Sequence, residues 1–171
     1  MNKSEIKQTL AHYHADFIQL IVSLPLQQAD LSPDGKWSPI QLLEHIIKSV
    51  SPVVLAFALP GFLLKLIFGK ANRPSKSYDA LVEKYNSKLS AGGKAPPGFV
   101  PEKSPGKQRE LGQKLRKKID SLCGRMDSFS EEELDFLILP HPLLGKLTLR
   151  EMLYFTIHHV QHHQKQVKRV N

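Results

Sequence analysis

Four of the eight histidines fall within six residues near the C-terminus: His158, His159, His162 and His163. A neutral imidazole binds Zn, Ni, Fe or Cu through a ring nitrogen, and residues four apart on a helix stand one turn apart on the same face. The segment therefore offers two pairs of candidate ligands, His158 with His162 and His159 with His163. At about 100° per residue, Leu149, Leu153, Thr156, Val160 and Val167 form an inward stripe, and His159 and His163 fall on its flank beside Met152. His158 and His162 fall with Glu151, Lys165 and Arg169 on the opposite side, where water is the expected neighbour. A pair at this spacing is a weak metal signal without a third ligand. His45 is a candidate, but Ile40, Leu43, Ile46, Ile47 and Val50 define the apolar stripe of its helix, and His45 lies beyond the edge, past Leu42. Periodicity alone thus reads His45 as exposed or hydrogen-bonded. His12 and His14 read as helix-surface residues. His141, between Pro140 and Pro142, reads as a loop residue about 15 Å or more from His159 by helix rise.

Positioning these side chains takes helices. Ile6, Leu10, Phe17, Ile18, Ile21 and Val22 mark a first helix over about residues 3–24, and residues 31–36 carry turn chemistry. Ser38, Pro39 and Gln41 supply a capping hydroxyl, a proline at the first helical position and the reciprocal amide, so a second helix starts there and runs to about Ala58 before Pro60-Gly61. Residues 78–89 have a weaker helical pattern. The Gly- and Pro-rich stretch over 91–105 predicts a long loop, suited to a lid or a family-specific insertion. A third helix over about 106–128 is amphipathic, with Leu111, Leu115, Ile119, Leu122 and Met126 inward and basic residues outward. Ser130 with Glu133 caps a short helical turn, and Pro140-His141-Pro142 breaks the chain. Thr148 with Glu151 caps a fourth long helix reaching nearly to the end. No strand alternation is evident. The expectation is an all-α chain, residues 1–171 as a single domain, with four long helices around one core and a long loop between the second and third.

Three motifs together resemble a known family: Trp37-Ser38 with Glu44-His45-Ile46, then Pro142-Leu-Leu-Gly145-Lys-Leu-Thr148, then His159-Val-Gln-His-His163-Gln-Lys-Gln166. They look like the DinB-like superfamily of metal-binding four-helix bundles, and the resemblance covers most of the chain. It implies that one histidine of the second helix and the spaced pair of the last helix converge on one divalent metal, Zn, Ni or Fe. Here those are His45, His159 and His163, with Gln166 placed to orient a ligand or a substrate. It further implies a metal-dependent hydrolase-like reaction or a transferase reaction using a low-molecular-weight thiol, on a small-molecule substrate. The 92–105 loop departs from simpler members, which leaves the substrate open.

Three imidazoles leave an ion with open positions, a catalytic ligand set that can polarise a carbonyl, acidify water or activate a thiolate. Glu44, adjacent to His45, points about 100° away on its helix and reads as solvated. Cys123 is the one cysteine and reads as a small buried residue without a role; a lone cysteine and the lack of a basic-plus-apolar leader suit a cytoplasmic compartment. At 41% hydrophobic and 23% charged residues, disorder is excluded as a global description. The net charge of +8 is concentrated between Lys103 and Arg125 without interleaved aromatics, which reads as a solvated helix face and not as a nucleic-acid site. An alternative in a different class is a non-catalytic, metal-stabilised scaffold whose basic helix docks an acidic partner. The apolar run over 50–68 is interrupted by Pro52, Pro60 and Lys65, so no transmembrane segment is expected, although residues 61–68 could lie at a lipid interface. Homodimerisation stays open.

Overall fold

The computed structural model describes residues 1–32 and 35–170, with only the backbone of the last of these. Pro33 and Asp34, in the turn expected at 31–36, lie outside the described residues. The element order is α1 (Lys3–Val22), α2 (Leu26–Asp30), α3 (Pro39–Ala56), α4 (Gly61–Phe68), α5 (Tyr78–Ser90), α6 (Gln108–Arg125), α7 (Glu131–Phe136), β1 (Ile138–His141), β2 (Gly145–Thr148) and α8 (Leu149–Val170). The four long helices α1, α3, α6 and α8 form the bundle: α1 and α3 each pack against both α6 and α8. One buried apolar cluster runs through all four.

Local chemistry explains where these helices begin. Asn2, Ser38 and Ser130 each accept from the backbone N–H three residues on, and Glu5, Gln41 and Glu133 reach back to the cap N–H. Such reciprocal caps contribute about 1 kcal/mol each. At the start of α8 the reciprocal pair is Thr148 and Glu151, with bonds of 3.1 and 2.9 Å. No single helix among the described residues is long and apolar enough to cross a membrane; α3 and α4 would be so only together, and they are bent 108° apart.

Three expectations are corrected. The all-α bundle is as expected, but where no strand was expected the Pro140–Pro142 region folds as a small hairpin with Leu139 opposite Leu147 and His141 opposite Gly145. Four-residue strands holding prolines show too little alternation to be seen, and Gly145 supplies the left-handed turn at φ +78°. Glu151 is fully buried instead of wet. The segment between α4 and α5 crosses the start of α8, where Arg73 grips both Glu151 oxygens at 2.6 and 2.8 Å and the Lys76 N–H donates to one of them at 2.8 Å.

His14 is the third correction: it is 1% exposed. It follows Leu10 by four and precedes Phe17 and Ile18 by three and four, which places it on the buried stripe of α1. Its Nδ1–H donates to the Leu10 carbonyl at 2.8 Å, while Nε2 has no partner among the described residues. Burial lowers its pKa from 6.5 to about 4, against the raising effect of that bond. The unfolded chain takes up a proton near 6.5 that the folded chain refuses until about 4, so this residue costs stability as pH falls through that window. His14→Leu should therefore flatten the acid limb of denaturant-measured stability, gaining about 3 kcal/mol more at pH 4 than at pH 7. An unchanged acid limb would show that His14 titrates normally.

Candidate metal centre

α3 and α8 supply the two walls of the site. His159 and His163 lie one turn apart on the core-facing side of α8, both 6% exposed, and Leu149, Leu153, Val160 and Val167 are buried as the rotational reading requires. The His159 and His163 Nε2 atoms are 3.0 Å apart, and the His45 Nε2 atom reaches His159 Nε2 at 3.1 Å. One nitrogen from each of the three residues lies within 4.8 Å of the other two.

His45 is 4% exposed, contrary to its position past the edge of the α3 stripe. The loop between α5 and α6 folds over it: a 3-10 turn at Pro97–Phe99 places the Phe99 carbonyl 2.7 Å from His45 Nδ1, and the Trp37 ring covers it at 4.8 Å between centroids. Glu44 is not free in solvent either. It accepts from the Glu102 N–H at 3.2 Å and the Ser104 hydroxyl at 3.3 Å, while Lys48 donates to the Val100 carbonyl at 2.9 Å. One turn of α3 thus pins the loop that roofs the next histidine.

Hydrogen bonding assigns the protons. A carbonyl only accepts, so neutral His45 carries its proton on Nδ1 and a bare lone pair on Nε2. His163 Nδ1 lies 2.8 Å from Gln166 Oε1, and the Gln166 amide nitrogen lies 3.0 Å from His162 Nε2. That network leaves Nε2 of His163 bare as well. Both bare atoms face His159 Nε2, whose single proton can satisfy at most one of them. Protonating further is opposed by burial: desolvation first, then the neighbouring imidazoles, hold His159 well below 6.5, and desolvation followed by His45 brings His163 to about 3. Burial also lowers His45, against the raising effect of the Phe99 bond. Three converging nitrogen donors kept neutral are what a divalent ion requires, and spacings of 3.0 and 3.1 Å are compatible with ligands at about 2.1 Å from one centre.

The histidines expected to face water do not do so fully. His158 is 9% exposed and His162 half-buried, because Tyr85 of α5 packs across both, at 5.7 and 6.0 Å between ring centroids. Lys165 and Arg169 remain exposed. Desolvation, with His162 adding to it, lowers His158 to about 4. His141 is also nearer than the helix-rise distance suggested: the hairpin brings its ring to 4.2 Å from Phe155, which stacks on His159 at 4.9 Å. Its Nδ1 accepts from the Leu143 and Leu144 N–H groups, both at 3.1 Å, so its proton sits on Nε2 when neutral. Burial lowers it to about 4.

His45, His159 and His163 open onto a cavity of about 900 Å³ walled by Trp37, Leu42, Tyr85, Phe99, Leu139 and Phe155 among others. Phe99, Tyr85 and His141 were not singled out from the sequence as site residues. A backbone carbonyl carries no side-chain signal, and His141 needs the hairpin to be known.

A sequence model of the DinB superfamily matches residues 9–167. The chain belongs to the DinB superfamily. Among solved structures it is similar to YfiT from Bacillus subtilis, at 16% identity and a TM-score of 0.64 over 98% of this chain and 85% of that one. That protein is described as "a probable metal-dependent hydrolase with an unusual four-helix bundle topology". At this identity the likeness shows the fold, and the bundle here is that fold with a two-stranded hairpin before its last helix. No curated protein sequence matches the chain.

The proton assignment is directly checkable in this DinB-superfamily chain. In the metal-free protein at neutral pH, nitrogen-resolved imidazole spectra should show His45 and His163 protonated at Nδ1. Gln166→Ala should return His163 to a mixture of tautomers and leave His45 unchanged; an unaffected His163 would mean that Gln166 does not orient it.

Proposed function

We propose that this protein is a divalent-metal-dependent enzyme acting hydrolytically on a small-molecule substrate, with His45, His159 and His163 as the ligands. The observation that carries this reading is the convergence of three Nε2 atoms, two with their protons tied off elsewhere, at the wall of a large apolar cavity. A structural ion would be enclosed by protein, whereas three ligands facing a cavity leave coordination positions for a reactant. The description of YfiT favours hydrolysis over thiol transfer. Zn, Ni and Fe all suit an all-imidazole set.

When bound, the ion supplies Lewis acidity to a carbonyl or a water. The chain does the rest. The Phe99 carbonyl and the Gln166 amide fix two imidazole orientations and make those rings better donors. Trp37, Tyr85 and Phe155 thin out competing water around the ligands, which strengthens any charge interaction made there. His141, with Nδ1 occupied by the hairpin turn, keeps one N–H to offer a substrate oxygen within the same cavity.

Metal content after identical purification and dialysis tests the proposal. Wild type should hold about one equivalent of a divalent ion. His45→Ala, His159→Ala or His163→Ala should each lose most of it, while His158→Ala keeps it, with helicity followed to exclude unfolding. Wild-type protein that stays metal-free after incubation with zinc, nickel and iron(II) would overturn the assignment.

A further inference from the structure

The cavity has a direction, and that direction describes its ligand. It is lined from α3 by Pro39, Leu42, His45, Ser49, Val53 and Ala56, whose spacings of three and four keep them on one face of the helix for its whole length. At 1.5 Å per residue that face runs roughly 25 Å, with His45 about 9 Å from one end and about 16 Å from the other. From α8 it is lined between Met152 and Arg169, again nearly the full helix. Phe57, just after α3, packs on Phe129, which Lys3 reaches, and Met1 meets Arg150 and Tyr154 at the start of α8, so α3 and α8 run antiparallel and the start of α3 lies beside the end of α8.

The two ends differ in chemistry. Lys36, just before α3, and Arg169, at the end of α8, both line the cavity and are exposed, so they stand at its opening; Lys94 of the roofing loop is a third exposed cation in the lining, but it follows Gly93, which lies against Leu143 of the hairpin, away from that end. None of the three is in a salt bridge among the described residues. Among those residues no Asp or Glu lines the cavity. Beyond the histidines the lining becomes apolar: Val53, Ala56, Phe68, Leu139 and Met152.

We infer that the cavity binds a single-chain anionic amphiphile, a carboxylate- or phosphate-type head at Lys36 and Arg169 and an alkyl or aryl tail running along α3 toward Phe68. This names the substrate class of the site and rests on the hydrolytic reading above. The bond beside His45, His159 and His163 is then an internal one, between the anionic head and the far end of the tail, and a ligand with its anion directly at the reactive bond is the wrong length. Cations at one end, with no salt bridges among the described residues, attract the head and set its orientation. The apolar end rewards chain length.

Calorimetric titration of purified full-length protein with octanoate, decanoate and dodecanoate, each below its aggregation limit, tests this without requiring turnover. Affinity should rise by up to about fourfold per added methylene. Dodecanoate should bind more tightly than dodecanol, and the cationic dodecyltrimethylammonium should bind worst. Lys36→Glu combined with Arg169→Glu should weaken dodecanoate about tenfold or more while leaving dodecanol within twofold. Ser49→Phe, on the same lining face about 15 Å from the start of α3 and so within reach of a 12-carbon chain but beyond an 8-carbon one, should weaken dodecanoate more than octanoate; the chain-length series on wild type decides the point if that variant fails to fold. Equal binding of the cationic and anionic amphiphiles, no dependence on chain length, or indifference to the charge reversal would each overturn the inference. So would dodecanoate binding that appears only after zinc loading, since the carboxylate would then sit on the ion. Metal content measured on the same samples separates the two readings: loaded protein that ignores every amphiphile defeats this inference alone, and ordered amphiphile binding by protein that takes up no metal defeats the hydrolytic reading.

Discussion

The structure depends on keeping three electron-rich nitrogens together inside an apolar bundle. Left to themselves, neutral imidazoles would share protons or turn apart, and charged ones would repel in a medium that screens little. The chain prevents both outcomes by holding the opposite ring nitrogen. Phe99 does so for His45 and Gln166 for His163, and burial keeps the rings from charging. Each of these depends on packing elsewhere. Helices α1 and α6 press α3 and α8 together from behind, and the hairpin delivers Leu139 and His141 to the same cavity.

The 92–105 loop is the least regular part of the chain and among the most consequential. Left on the surface, it would be a long Pro- and Gly-rich excursion with few bonds of its own. It is instead clipped by Glu44 and Lys48, which are one turn apart on α3 and bracket His45 in sequence. Each such contact is partly exposed and weak alone. Together they set the height of the roof, so the Phe99 carbonyl meets the imidazole it must orient. The roof and His45 are therefore coupled through the same helical turn, so an irregular loop meets the imidazole at a defined height.

Helical periodicity made the inward pair on α8 legible, because a 22-residue helix repeats its stripe often enough to assign a face. The same tool misplaced His45, His158 and Glu151 for one reason: it assigns the side facing the bundle but knows nothing of what covers the other sides. The 97–105 segment covers His45, α5 covers His158, and the stretch before α5 covers Glu151. Each covering segment lies far away in sequence. His14 is a different failure, since its spacing from Leu10, Phe17 and Ile18 was visible and only its polarity argued for the surface. The family resemblance placed His45 with the pair on α8 where periodicity could not.

A histidine cluster shared between two antiparallel helices separates what holds the imidazoles from what shapes the cavity. The histidines need only α3, α8 and the buttressing of α1 and α6, all regular elements whose positions the bundle core determines. The rest of the cavity wall comes from pieces outside that frame: the roofing loop, the hairpin, α5 and the Phe68 end of α4. Changes there alter the length, polarity and mouth of the cavity without moving the clustered imidazole nitrogens. The cations without salt bridges among the described residues follow this division, since Lys36 and Lys94 sit in loops and Arg169 near the end of α8, where an exposed side chain is free of core packing. The histidine cluster is thus built into the regular frame and the shape and charge of the cavity into its coverings, so a ligand is better inferred from the covering segments than from the histidines.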